Sequence, residues 1–180
     1  MSDHKVVAVF GSSQSRPGDG DYDIGIRCGR LLAEAGMAVA TGGYGGLMEA
    51  VCRGAAEAGG ETYGVTAPAV FPGRSGANPW VRNELPAEDL VRRIALLTDL
   101  ADGYIALPGS IGTLAELVIA WNLAFVAPFG DRSFGPIATV GDTWAELLPL
   151  LNEKLASDGS FITTCATVEE AVTHVAAALI

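Results

Sequence analysis

The chain has 180 residues, 49% hydrophobic and 18% charged, and 11 Lys and Arg against 21 Asp and Glu leave a formal net charge of −10. That length suits one domain with a sizeable core, and the apolar fraction excludes intrinsic disorder. With no basic run, nucleic acid is not an expected partner, because phosphate-backbone binding draws its affinity from Lys and Arg.

In chain order, Lys5 to Phe10 is a short apolar run closed by Gly11 and reads as a buried first strand. Ile24 to Ala35 carries apolar residues at helical spacing and stops at Gly36. Met37 to Thr41 predicts a second strand running into Gly42-Gly-Tyr-Gly-Gly46. Leu47 to Ala58 predicts a second helix stopped by Gly59-Gly60, and Glu61 to Thr66 a third strand. Ala67 to Pro86, with four prolines, two glycines and Trp80, has no sustained period and reads as a long loop. Loops of that length inside a compact domain usually serve function. Glu88 to Leu100 is helical, Gly103 to Leu107 is a strand ending at Pro108, and Thr113 to Val126 is a strongly apolar helix. Pro136 to Val140, Thr143 to Ala156, Ser160 to Thr164 and Thr167 to Leu179 read as strand, helix, strand and helix. Thr167 and Glu170 form a capping box at the last start.

Continuous apolar strands alternating with helices imply an α/β fold: a doubly wound parallel sheet with helices on both faces, in a single domain over residues 1–180. Such sheets bind ligands outside the carboxyl ends of their strands. The 23 glycines cluster at three of those ends: Gly11 to Ser13, Gly42 to Gly46 and Pro108 to Thr113. In Pro108-Gly-Ser-Ile-Gly-Thr-Leu-Ala-Glu116 a strand ends, a glycine turn follows and a helix opens, a layout that offers backbone N–H groups and a helix dipole to an anion. No Lys follows the glycine, so it is no Walker loop, and the G-x-G-x-x-G spacing is missing. One such turn could use glycine for geometry alone. Three on one sheet edge favour an anionic-ligand site built on Gly109, Ser110, Ile111, Gly112 and Thr113, with Gly43, Gly45, Gly46, Ser12 and Ser13 beside them.

Cys28, Cys52 and Cys165 show neither disulfide nor zinc spacing and are expected as buried small hydrophobes in a reducing cytoplasm. The first residues do not read as a signal peptide, and no apolar stretch approaches the roughly 20 residues of a membrane helix, so the expectation is a soluble, cytoplasmic chain with no membrane partner. His4 and His174 stand alone, which leaves no metal cluster, no cofactor and no nucleophilic triad to propose.

The segments GGYGGLMEA (Gly42 to Ala50) and PGSIGTLAE (Pro108 to Glu116) together resemble the LONELY GUY family of cytokinin-activating phosphoribohydrolases, formerly taken for lysine decarboxylases. That family's signatures are GG-x-x-GLM and PGGxGTxxE, preceded at a fixed distance by an arginine. Arg93 stands fifteen residues before Pro108, in that place. The likeness runs from VFGSS (Val9 to Ser13) through the apolar helix and beyond. It implies a Rossmann-like homodimer that binds a small-molecule nucleotide, of the AMP or cytokinin riboside monophosphate type. The family hydrolyses the N-glycosidic bond to free base and ribose 5-phosphate. Carried onto this chain, it makes Glu116 and Arg93 the catalytic pair and places Ser110, Gly112 and Thr113 in the phosphate loop. Arg92 is a further contact candidate, and Asn122 falls where the family has a ligand-contacting threonine. Ser110 replaces a glycine of the family pattern, Ile94 replaces a lysine, and GLMEA replaces GLMG. The last resembles branches that include a molybdenum cofactor carrier without hydrolase activity. The alternative is therefore a non-catalytic nucleotide or molybdenum cofactor binding or carrier protein.

Breaking a nucleotide's N-glycosidic bond develops positive charge on the ribose, which a carboxylate near the anomeric carbon stabilises. Glu116, about one turn into its helix, is expected ionised by the helix dipole, and so to act as charge stabiliser or base rather than as acid. Arg93 stays charged and neutralises phosphate or hydrogen-bonds the leaving base. Met48 reads as core. Around Trp121, the residues Leu117, Ile119, Ala120, Leu123, Phe125 and Val126 make a helix apolar on most of its surface, expected to be buried between the sheet and a second subunit.

Overall fold

The computed structural model describes residues 4–74, 76–129 and 134–180. Its centre is β1 (Val6–Phe10), buried along its whole length. On one side β1 pairs in parallel with β2 (Ala38–Thr41), Val7 beside Val39. On the other it pairs with β5 (Gly103–Ala106), Ala8 beside Tyr104. The chain first builds outward through β3 (Thr62–Thr66) and β4 (Asn83–Pro86). It then returns to place β5 next to β1 and builds outward the other way through β6 (Ile137–Val140) and β7 (Ile162–Cys165). The seven strands are all parallel, in the order β4-β3-β2-β1-β5-β6-β7. The direction of winding reverses between β1 and β5, which is where sheets of this kind open a ligand crevice.

Both faces of the sheet are covered, so β1, β2, β5 and β6 are buried on every residue rather than on alternate ones. Val7 and Val9 point into one core with Cys28 and Leu32 of α1 (Gly20–Glu34), Leu47 and Val51 of α2 (Leu47–Glu57), and Val172 and Val175 of α6 (Val168–Leu179). Val6, Ala8 and Phe10 point into the other core. There they meet Leu97 of α3 (Leu90–Leu100), Leu117 and Trp121 of α4 (Ile111–Val126), and Trp144 and Leu148 of α5 (Asp142–Leu155). Each fully buried Leu or Val in these layers contributes about 1.5–3 kcal/mol against its exposed state. The Rossmann-like α/β architecture expected from the sequence is the one observed.

Several elements differ from the sequence reading. The segment expected as an unbroken loop from Ala67 to Pro86 ends in β4, which adds to the sheet through Tyr63 beside Asn83 and Thr66 beside Pro86. Its four residues are exposed or half-buried, so no apolar alternation marks it, and a terminal proline is tolerated only because the strand lies on the edge. Thr62 holds its approach: the Thr62 hydroxyl donates to the Trp80 carbonyl at 2.7 Å and accepts the Arg82 amide at 2.9 Å. α1 starts at Gly20, earlier than the apolar period shows, because its first turn carries Asp21 and Asp23. α4 starts at Ile111 rather than Thr113, which draws Ile111 and Gly112 out of the turn into the first helical turn. The Thr167–Glu170 cap forms as read, with the Thr167 hydroxyl accepting the Glu170 amide.

α4 is not buried all round. Leu117, Ala120, Trp121 and Ala124 pack on the sheet, while Val118, Ile119, Leu123, Phe125 and Val126 remain between 36% and 43% exposed. Ile111–Phe129 is also long and apolar enough, by length and composition, to cross a membrane, contrary to the sequence expectation. In this fold its inner face is instead packed in the second core. All three cysteines are free and buried, and burial pushes the Cys28 thiol up to about 12 and Cys52 to about 11.

Candidate functional site

The three glycine-bearing strand ends meet through one residue. The Ser12 amide donates to the Pro108 carbonyl at 3.1 Å, and the Ser12 carbonyl accepts the Leu47 amide at 2.8 Å, so the loop after β1 ties the loop after β5 to the start of α2. Gly46 permits this contact. Its φ is +77°, and a Cβ there would lie 2.4 Å from the Ser12 carbonyl oxygen. Beneath the third loop, the Trp144 indole donates to the Leu107 carbonyl at 3.0 Å and holds the end of β5. α2 and α4 thus begin side by side at the switch point, and neither N-cap residue, Gly46 or Ser110, caps its helix with a side chain. First-turn amides left without a side-chain cap and aligned helix dipoles give this edge a positive potential in an otherwise acidic chain.

At the lip of this edge stands Arg93, only 7% exposed although charged. α3 presents it toward the ends of β2 and β3, and main-chain carbonyls fix it there. Its Nε donates to the Val65 carbonyl at 2.8 Å and its Nη2 to the Gly42 carbonyl at 2.9 Å. Nη2 also touches the Met48 sulfur at 3.6 Å, and the guanidinium carbon lies 5.7 Å from the centre of the Tyr44 ring. Nη1 faces Glu116 Oε1 at 3.4 Å. Gly42 is the condition for this arrangement: a Cβ at that position would stand 1.6 Å from Nη2.

Glu116 is 9% exposed and sits on the inner side of α4, beyond its first turn. Burial raises its carboxyl to about 7, against the opposing pull of Arg93. Burial likewise lowers Arg93, while Glu116 and Tyr44 hold it up and Arg74 pushes it further down. The expected hold of the helix dipole on an ionised Glu116 is therefore opposed by burial, and at neutral pH carboxyl and carboxylate are both populated. The dipole's effect is confined to the first turn, and desolvation outweighs it at this depth. Near neutral pH the group is poised to take or give a proton.

The structure brings Ser12, Gly43, Gly46, Gly109, Thr113, Arg93 and Glu116 to one sheet edge, with Ser13, Gly45, Ser110, Ile111 and Gly112 exposed along it. Arg92 and Asn122 are not part of this group. Both are exposed, and Asn122 lies roughly 120° round the helix from Glu116. Five contributors were not singled out from the sequence. Gly42, Val65 and Tyr44 act through main-chain carbonyls or a ring, which no motif spells out. Asn78 binds the Gly43 and Tyr44 carbonyls through its side chain and the Gly43 carbonyl again through its amide, and so pins the Pro-rich loop to the site. Arg74 stacks on Tyr44. Met48, read as core, is 8% exposed and also touches Arg93. Among the described residues, no group of three or more His, Cys, Asp and Glu could hold a metal ion.

A cytokinin riboside 5′-monophosphate phosphoribohydrolase of Mycobacterium tuberculosis is 31% identical over 120 residues, covering 57% of this chain and 64% of that protein. A protein of the same name from Rhodococcoides fascians is 29% identical over 121 residues, covering 66% of this chain and 61% of its own length. The chain thus spans somewhat less than two thirds of these relatives. Among solved structures, the molybdenum cofactor binding protein of Rippkaea orientalis superposes with a TM-score of 0.79 over 100% of both chains at 20% identity, a likeness of fold. Residues 4–125, which include both glycine loops, Arg93 and Glu116, match the SLOG cluster4 family, and the chain belongs to that family.

Proposed function

We propose that this chain hydrolyses the N-glycosidic bond of a nucleoside 5′-monophosphate, releasing free base and ribose 5-phosphate. The observation that carries this reading is the buried Arg93–Glu116 pair, 3.4 Å apart, at the edge where α2 and α4 begin. The phosphate binds at the start of α4, on the amides of Ile111, Gly112 and Thr113. Glu116, as the carboxylate, takes a proton from a water that attacks C1′. The C1′–N bond breaks, the base leaves with the electron pair and takes up a proton from solvent, and Glu116 releases the proton it took to solvent, which restores the carboxylate. Arg93, held by two carbonyls, orients Glu116 and is the fixed positive charge beside it. The relatives named phosphoribohydrolases support the reading at the level of the family.

A base-release assay across common nucleoside monophosphates tests it, with Glu116→Ala and Arg93→Ala as controls. Release by the wild type and loss in both variants is the expected result; no release from any nucleotide refutes it. One observation favours the non-catalytic alternative, a nucleotide or molybdenum cofactor carrier: two of the three guanidinium nitrogens of Arg93 are engaged by the main chain and so are not free for a reacting ligand. Tight ligand binding without turnover would select that reading.

The same proposal includes a homodimer. Ile119, Leu123 and Val126 of α4 lie exposed near Val91 of α3, and together with Ile94 they line a groove of about 850 Å³. Apolar faces of this kind mark association surfaces. A second copy seated there is the arrangement in which Arg92 and Asn122 could take part in a site.

A further inference from the structure

Arg74, in the Pro-rich loop, is a residue that no motif marks and that the reading above does not use. Its guanidinium carbon lies 4.6 Å from the centre of the Tyr44 ring and 4.6 Å from that of Phe71, two rings that meet edge to face at 5.4 Å. Tyr44 is 4% exposed and fixed: its hydroxyl accepts the Ala67 amide at 2.8 Å. The far limb of the loop is tied to the same glycine segment by Asn78. Arg74 itself is exposed, and among the described residues no carboxylate pairs with it. A second guanidinium, that of Arg93, has its carbon 5.7 Å from the same ring centre.

Two cations therefore share one aromatic ring, with Glu116 as the carboxyl group beside Arg93, and Arg74 disfavours the charge on Arg93. In a chain with a net charge of −10, acidic residues to neutralise such a pair are plentiful elsewhere on the surface. Two guanidinium groups served by one buried carboxyl group leave excess positive charge at the empty site, which an entering anion neutralises. Cation–π contacts with two rings hold the guanidinium by its faces and leave its N–H edge free to donate.

On the basis of the nucleotide reading above, we propose that Arg74 is a ligand-binding residue that grips the phosphate of the incoming nucleotide, so that the Pro-rich loop carries the chain's preference for phosphorylated over unphosphorylated ligands. The phosphate is held on one side by the start of α4 and on the other by a cation mounted on Tyr44 and Phe71.

Calorimetric titration of the full chain with a carbocyclic nucleoside 5′-monophosphate and with the corresponding carbocyclic nucleoside tests this, since neither probe is open to glycosidic hydrolysis. Arg74→Met keeps bulk without charge and should weaken the phosphorylated probe about tenfold or more, the range of a charge-assisted hydrogen bond, while leaving the unphosphorylated probe unchanged. Arg74→Lys keeps the charge but loses the stacked, forked donor edge, and should fall between the wild type and Arg74→Met for the phosphorylated probe. Equal weakening of both probes in Arg74→Met would assign Arg74 to packing alone and overturn the proposal, as would no weakening of either. Gly109→Ala separates the two levels: a Cβ there lies 2.2 Å from the Thr113 hydroxyl oxygen and distorts the turn before α4. A phosphate preference lost in Gly109→Ala but intact in Arg74→Met keeps the nucleotide reading and overturns only the role of Arg74. A wild type with no preference for the phosphorylated probe overturns both.

Discussion

Replacing Glu116 by Gln keeps the shape of the side chain and removes its titration, which isolates the cost of holding a carboxyl at this depth. The group is 9% exposed and burial raises it from 4.5 to about 7. At 1.36 kcal/mol per pH unit that rise is worth roughly 3 kcal/mol. The sign follows from proton counting. Below pH 4.5 the carboxyl is protonated in both the folded and the unfolded chain. Between 4.5 and about 7 the unfolded chain has released the proton and the folded chain retains it, so stability falls as pH rises through this window and levels off above it. Glu116→Gln has no such slope. Relative to the wild type it should therefore gain stability from pH 5 to pH 8, by up to roughly 3 kcal/mol. Urea unfolding of both proteins at pH 5, 6, 7 and 8 gives this difference directly. A gap that stays flat over the window, or that widens in favour of the wild type, would mean that the attraction of Arg93 outweighs burial and that Glu116 is an ordinary ionised carboxylate.

Three further outcomes follow from the site. If Glu116 acts as base, kcat/KM should rise as pH increases through about 7 and then level off; a fall through the same range would make it the acid. Gly42→Ala should displace the Arg93 guanidinium, since a Cβ would sit 1.6 Å from Nη2, and should abolish activity with a stability loss of about 1–3 kcal/mol; full activity in this variant would show that the Gly42 contact is dispensable. If the proposed dimer forms on the outer face of α4, Ile119→Asp should convert it to a monomer in light scattering without unfolding the chain, because Ile119 is 38% exposed; an unchanged dimeric mass would place the interface elsewhere, and a monomeric wild type would refute the dimer.

Much of the fold was legible because its signals are local. The inner strands show as continuous apolar runs, the turns show as glycines, and the helix stops at Gly36 and Gly59 lie where the period ends. β4 was not legible, since an edge strand buries little and so imposes no pattern on Asn83 to Pro86. The starts of α1 and α4 were placed late for a similar reason: first turns are polar or exposed, and their boundaries are set by backbone hydrogen bonds rather than by apolar spacing.

What the sequence by itself determined is the alternation that makes a doubly wound sheet, and the placement of three glycine clusters at its strand ends. Arg93 and Glu116 could be named only through the family resemblance, from the places they hold relative to Pro108 in its motifs. Only the tertiary structure decided their state. Glu116 lies near its helix start, which alone would keep it ionised, but the packing of α3 and α4 over the sheet strips it of water and raises its carboxyl. Only the fold, too, set Arg93 on the carbonyls of Gly42 and Val65, which are remote in sequence, and carried Arg74 onto the ring of Tyr44. A motif records which side chains are present; burial and main-chain geometry, which depend on the whole sheet, decide which charge each one carries and what it faces.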